Sequence, residues 1–208
     1  MKKVIRFLTL GSLMLTFSIA PISASDIGKD EENGVSYEKN SEAYFYDEYS
    51  DEHIIEILTL YHNETCGMNE VTITTEDVKE FKMYYVEYSG INQRKSLAAF
   101  PTNFSHYYNG STGWLYRTEG ISLSIDYKPS AMYVGGNNPN AQAANAANAF
   151  TVLKNKYGSD VRWKNTASME AQFHCHVVTI GKLKNPWNIE PWRTQSDLIK
   201  VILDRCNP

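Results

Sequence analysis

His174, Cys175 and His176 follow one another without a break, and neutral imidazole with thiolate is the donor set of zinc and copper sites. Secondary structure decides whether the two histidines can act together. On a strand they share a face and can chelate, whereas on a helix the 3.6-residue turn points them about 200° apart. Met169, Phe173 and His176 fit helical spacing and Ser168 suits a cap, while Val177 to Ile180 has the branched side chains of a strand. The spacing predicts a helix that ends near His176. On that expectation there is no metal: His174 and His176 are candidate ligands only if the segment is extended, and His176 is otherwise a hydrogen-bonded packing residue.

A second group is the run Trp187, Asn188, Ile189, Glu190, Pro191, Trp192, Arg193, stiffened by Pro186 and Pro191. Large rings beside a carboxylate and a guanidinium make a contact surface, so Trp187, Asn188, Glu190, Trp192 and Arg193 are the candidate binding residues. The same residues can instead form a structural staple, with Glu190 paired to Arg193 or to backbone and the rings covering the core. A hydrolase would use Glu190 as general acid or base, His176 as its partner and Arg193 to hold an anion. The sequence carries no serine elbow, zincin helix, phosphate loop or cysteine-protease neighbourhood, which leans the reading away from an enzyme and from any cofactor.

The elements that must position these residues mix both periods. Ile54, Ile57 and Leu58 have helical spacing within His53 to Leu60, whereas Val71 to Thr74 and Met83 to Tyr88 read as strands. Trp114 to Arg117 and Ile121 to Tyr127 flank Thr118, Glu119 and Gly120. The second arm alternates Ile121, Leu123, Ile125 and Tyr127 with Ser122, Ser124 and Asp126, which predicts a half-buried hairpin. Gly135 to Asn138 form a loop, and Pro139 opens a helix running to about Tyr157 with Gly158 placed to end it. Ala146, Phe150, Leu153 and Tyr157 share one face of that helix. A last helix is expected near Thr194, with Asp197 in a capping-box position and Leu198, Ile199, Ile202 and Leu203 burying it. Hairpins and helices without a βαβ rhythm point to an α+β fold: antiparallel hairpins packed with two to three helices.

The chain ends set the compartment. Lys2, Lys3 and Arg6 precede an apolar run from Phe7 to Ile19, and Ser23 and Ala24 precede Asp26. That order is an export signal, cut after Ala24 or, as the near alternative, after Ser25. The run is too short to span a bilayer, so no membrane span is expected after its removal. Removing 24 of the 208 residues and their three cations takes the formal charge from −4 to about −7, which argues against nucleic acid as a partner. Asp26 to Glu52 holds ten acidic and two basic residues and reads as a disordered leader, linker or pro-segment, with Tyr44, Phe45, Tyr46 and Tyr49 able to dock. In an exported chain disulfides are allowed. Cys175 is expected to pair with Cys206, pinning the C-terminal segment against fraying and leaving Cys66 free or intermolecular. The other reading keeps all three thiols buried and reduced.

From about residue 105 to 208 the chain resembles a secreted bacterial family known as domain of unknown function 2599. The resemblance rests on ISLSI at 121–125, the central helix, SMEAQFHCH at 168–176, WNIEPWR at 187–193 and the closing RCNP. It implies a secreted domain with cysteines at the positions of Cys175 and Cys206, and no established activity. Its His174 position varies. The expected organisation is a signal peptide at 1–24, a leader at 25–52, a mixed region at 53–104 and the resembling domain at 105–208. The expected function is a secreted, extracellular binding or effector module that contacts protein, glycan or cell envelope. A small hydrolase using His176 and Glu190, or a toxin with a removable acidic leader, are the alternatives. The 14 Tyr, 8 Phe and 4 Trp suit either gripping surfaces or half-buried strands.

Overall fold

The computed structural model describes residues 50–66, 72–91, 100–134, 136, 138–179 and 184–207. The chain divides into two compact units, 1–36 and 37–208, and every described residue belongs to the second. The expected signal peptide and the aromatic cluster at 44–49 lie outside the described residues. Among the described residues no helix is long and apolar enough to cross a membrane.

Helix α1, Asp51–Cys66, starts where Ser50 Oγ accepts from His53 N at 3.3 Å, with Asp51 and Glu52 favourably placed in its first turn. The helix thus begins within the acidic stretch rather than after it. Helix α2, Thr75–Ile91, replaces the strand expected at Met83 to Tyr88. Thr72 to Thr74 form no strand. Instead, Thr74 N donates to Asp77 Oδ2 at 2.7 Å and Asp77 N to Thr74 Oγ1 at 3.3 Å, a reciprocal cap. Val78, Phe81 and Tyr84 are buried at helical spacing and Tyr85 and Tyr88 half-buried beside them, so packing overrides the strand preference of MYYVEY.

A short helix α3, Phe104–Tyr107, leads to the hairpin of β1, Gly113–Tyr116, and β2, Ile121–Ile125. Arg117 and Gly120 exchange backbone hydrogen bonds around Thr118 and Glu119. Helix α4, Pro129–Met132, precedes α5, Pro139–Tyr157, where Asn138 Oδ1 caps Ala141 N at 3.1 Å, Pro139 stands in the first turn and Gly158 follows the last. Helix α6, Thr166–Val178, runs through the Val177–Val178 pair that favoured strand. Asn165 stands at its cap position and Ser168 inside it. Strand β3, Trp187–Ile189, pairs antiparallel with β2 to complete a three-stranded sheet in the order β1-β2-β3. Helix α7, Leu198–Leu203, is capped by Asp197, whose Oδ1 accepts from Ile199 N and Lys200 N, rather than by Thr194. A side chain one residue before the helix reaches its free N–H groups, and Thr194 stands too far back.

Two apolar clusters form the interior. One gathers Tyr107, Tyr108, Leu123, Ile125, Met132, Phe150, Leu153, Phe173 and Trp187 between the sheet and the helices that cover it. The other joins Ile54, Ile57 and Leu58 of α1, Val78 and Phe81 of α2, and Leu198, Ile199, Val201 and Ile202 of α7. Helix α6 is the wall between them: Met169, Phe173 and Val177 face the first, Ala171 and Cys175 the second. From Ala171 to Val177 every side chain of α6 is buried, so this stretch needs no polar face and its periodicity is weak. Cys175 is bonded to Cys206 within the second cluster, tying α6 to the end of α7. The fold is the expected α+β with its disulfide-tethered C-terminal helix.

Candidate functional site

The register of the sheet sorts its side chains into two faces. Leu123 pairs with Ile189 and Ile125 with Trp187, and these four are buried on the inner face. The alternate residues point the other way. Ser124 pairs with Asn188 and with Gly113, while Ser122 pairs with Leu115. The outer face therefore carries one row of Gly113, Ser124 and Asn188 and a second of Leu115 and Ser122. Ser122 is 1% exposed and Asn188 8%. Ser122 Oγ and Asn188 Oδ1 find no hydrogen-bond partner among the described residues. An unmet buried polar atom costs about 1–3 kcal/mol.

The segment 187–193 splits between core and surface. Trp187 is fully buried, stacked on Tyr127 with ring centres 4.1 Å apart, so its ring is not open to a partner. Glu190 is buried and accepts from Arg193 Nε at 2.8 Å, the pairing expected of a staple. Trp192 remains 42% exposed, with the Arg193 guanidinium 4.1 Å from the centre of its ring. Gly120 explains its position. A Cβ there would lie 2.7 Å from Trp192 Nε1, and φ at Gly120 is +150°, so only glycine lets the indole lie over the turn of the hairpin.

The histidines do other work. His176 Nε2 lies 3.1 Å from the Asn188 carbonyl, which can only accept, so Nε2 carries the proton. One turn earlier Gln172 donates to Glu190 O at 3.1 Å and accepts from Glu190 N at 2.7 Å. The pair Gln172 and His176 thus satisfies the outer edge of β3, whose other edge is taken by β2. His176 also stacks on Trp187, and burial pushes its pKa down to about 4. His174 faces α2, sharing a 2.7 Å hydrogen bond with Tyr84 Oη and lying 4.6 Å from the Tyr88 ring centre, and burial takes its pKa to about 3. The two imidazoles thus address different elements. Among the described residues no group of three or more His, Cys, Asp or Glu is placed to hold a metal.

The helix therefore separates His174 from His176, and the structure puts His176 beside the backbone of Asn188 rather than the carboxylate of Glu190. It adds Ser122, Gly120 and Gln172, which sequence reasoning passed over. The alternation in ISLSI already turned Ser122 outward. What lies opposite Ser124 is set by β3, more than 60 residues on, and no local pattern announces that pairing.

By fold and site, the described residues form a disulfide-stapled α+β unit, and residues 110–208 hold its sheet and its disulfide. The same stretch, residues 110–208, matches the family described as "Protein of unknown function (DUF2599)", in agreement with the resemblance carried by its motifs. No curated protein and no solved structure matches the chain.

Proposed function

We propose that the chain is exported and acts outside the cell as a binding module whose working surface centres on the exposed Trp192 with Arg193. One observation carries this reading: of the two tryptophans in the segment, Trp187 is fully buried while Trp192 is 42% exposed and fixed between Gly120 and Arg193. Rigid exposed rings beside polar groups anchor partners at little entropic cost. Export is supported by the basic start and apolar run of the first 24 residues and by the Cys175–Cys206 bond, which suits an oxidising compartment. The partner is sought in the cell envelope or among extracellular proteins and glycans.

The test sediments oxidised chain, starting at Ser25, with cell envelopes. Trp192→Ala is expected to weaken association about tenfold, equivalent to about 1.4 kcal/mol, with melting temperature unchanged. Equal sedimentation of Trp192→Ala and parent, or no sedimentation of either, overturns the reading.

A further inference from the structure

We infer that β1 is an interface strand through which two copies of this chain pair edge to edge about a two-fold axis. The inference is independent of the binding reading above. The sheet has two edges, and one is closed: Gln172 and His176 satisfy the outer edge of β3. At the other, Arg117 and Gly120 exchange backbone hydrogen bonds, so the bonded pairs further along the hairpin are Leu115 with Ser122 and Gly113 with Ser124. Trp114 and Tyr116 therefore turn their N–H and C=O groups away from β2, and none of these four groups meets a partner among the described residues. Natural edges are blunted by charge, proline or a bulge. Gly113–Tyr116 carries none of these, and Leu115 is 42% and Tyr116 71% exposed.

The strand is its own complement. Antiparallel pairing of Trp114 with Tyr116 of the second copy, and of Tyr116 with its Trp114, makes two bonded pairs and supplies a partner to every outward group. Sliding by two residues either way keeps a single such pair. The residues then reached are Thr112, whose N–H donates to Asn109 O and whose C=O accepts from Tyr157 Oη, or Thr118 of the turn. In the favoured register the two Leu115 side chains face one another across the axis, and on the opposite side of the joined sheet each Tyr116 stands across from a Trp114, an aromatic cross-strand pair. Charge selects the same arrangement. The chain carries a formal charge of −4, so two copies repel where charged surfaces meet. Strand β1 is uncharged, Arg162 over the Trp114 ring is neutralised by Asp160, and Arg117 lies opposite Gly113 of the second copy rather than its own counterpart. Because each copy uses the same strand, the pairing closes as a dimer and leaves no open sheet edge to recruit a third chain.

The test uses oxidised chain from Ser25 carrying Cys66→Ala, which removes the one cysteine outside the disulfide. Sedimentation velocity from about 5 to about 500 µM should show a monomer–dimer equilibrium, weak because the shared edge is short. Tyr116→Pro deletes an outward N–H that the fold does not use, a place where an edge strand tolerates proline, and should weaken dimerisation at least about tenfold with melting temperature unchanged. Leu115→Lys, which sets like charges on the axis, should do the same. Leu115→Cys should form a disulfide-linked dimer on mild oxidation, since directly opposed residues of a non-bonded pair lie within disulfide range. Thr118→Cys, also exposed on this hairpin, should not. A chain that stays monomeric throughout overturns the inference, as does a dimer that both edge variants leave intact, or equal cross-linking through Thr118→Cys. Loss of envelope association in Tyr116→Pro of a monomeric chain would mean that the edge takes a foreign strand, which also overturns the second copy as its occupant. Trp192→Ala should leave the dimer unchanged, so this inference and the binding reading fail separately.

Discussion

At the scale of the residue, burial sets the chemistry of both histidines. His174 and His176 are held neutral, with pKa values pushed down to about 3 and about 4 against an ordinary value near 6.5. The folded state therefore binds fewer protons than the unfolded one below the ordinary value. The contribution is complete above pH about 6.5 and falls as pH drops toward the folded values, by about 1.4 kcal/mol per pH unit for each histidine. Glu170, whose burial raises its pKa, acts in the opposite sense, but only near and above the ordinary carboxylate range. Asp126 and Asp160, lowered by hydrogen bonds, add losses only at more acid pH. Denaturant titrations from pH 7 to 5 should show a steady fall in stability that is shallower in His174→Phe. A flat profile would mean that the imidazoles are not buried neutral. His176→Ala should cost about 3 kcal/mol, since it opens a cavity beside Trp187 and strips the Asn188 carbonyl of its donor. Loss of any activity without loss of stability would instead point to chemistry at His176.

At the scale of the element, α2 and the hairpin show what a sequence discloses. The hairpin was legible because Leu123 and Ile125 alternate with serines and one face is buried, so the period of two survives in the residues. Helix α5 was legible for a similar reason: Pro139 and Gly158 mark its ends and Ala146, Phe150 and Leu153 its buried face. Helix α2 was not, because MYYVEY has the residue types of a strand and its helical order becomes visible only once Val78 and Phe81 are read with Tyr85 and Tyr88. The cap at Thr74 and Asp77 is the local signal that outweighs those types. Thr74→Ala should therefore cost about 1 kcal/mol, measured by denaturant midpoint, with little further loss in an Asp77→Ala background because the two side chains act as one reciprocal cap. Additive losses would show that they act separately. The outer sheet face was half legible: Ser122 and Ser124 were turned outward by the pattern, but the pairing of Ser124 with Asn188 depends on a strand that arrives from a distant part of the chain.

At the scale of the whole molecule, the two apolar clusters share α6 but depend on different tethers. The first is held by the sheet, whose strands are paired through β2, and by α5 packed over it. The second gathers three helices from opposite ends of the described chain, and Cys175–Cys206 is the covalent link that keeps α7 against α6 across a separation of 31 residues. Closing a loop of that length restricts the unfolded chain by about 4 kcal/mol in the chain-entropy account. Replacing both cysteines by alanine should therefore lower stability by roughly that amount, and the loss should be uneven. Amide exchange ought to accelerate first in α1 and α7, whose apolar faces meet in the second cluster, while β2 and the inner face around Trp187 retain protection until global unfolding. Equal acceleration across both clusters would mean that α6 couples them into one cooperative unit, with the disulfide supporting the sheet as much as the helix it is bonded to.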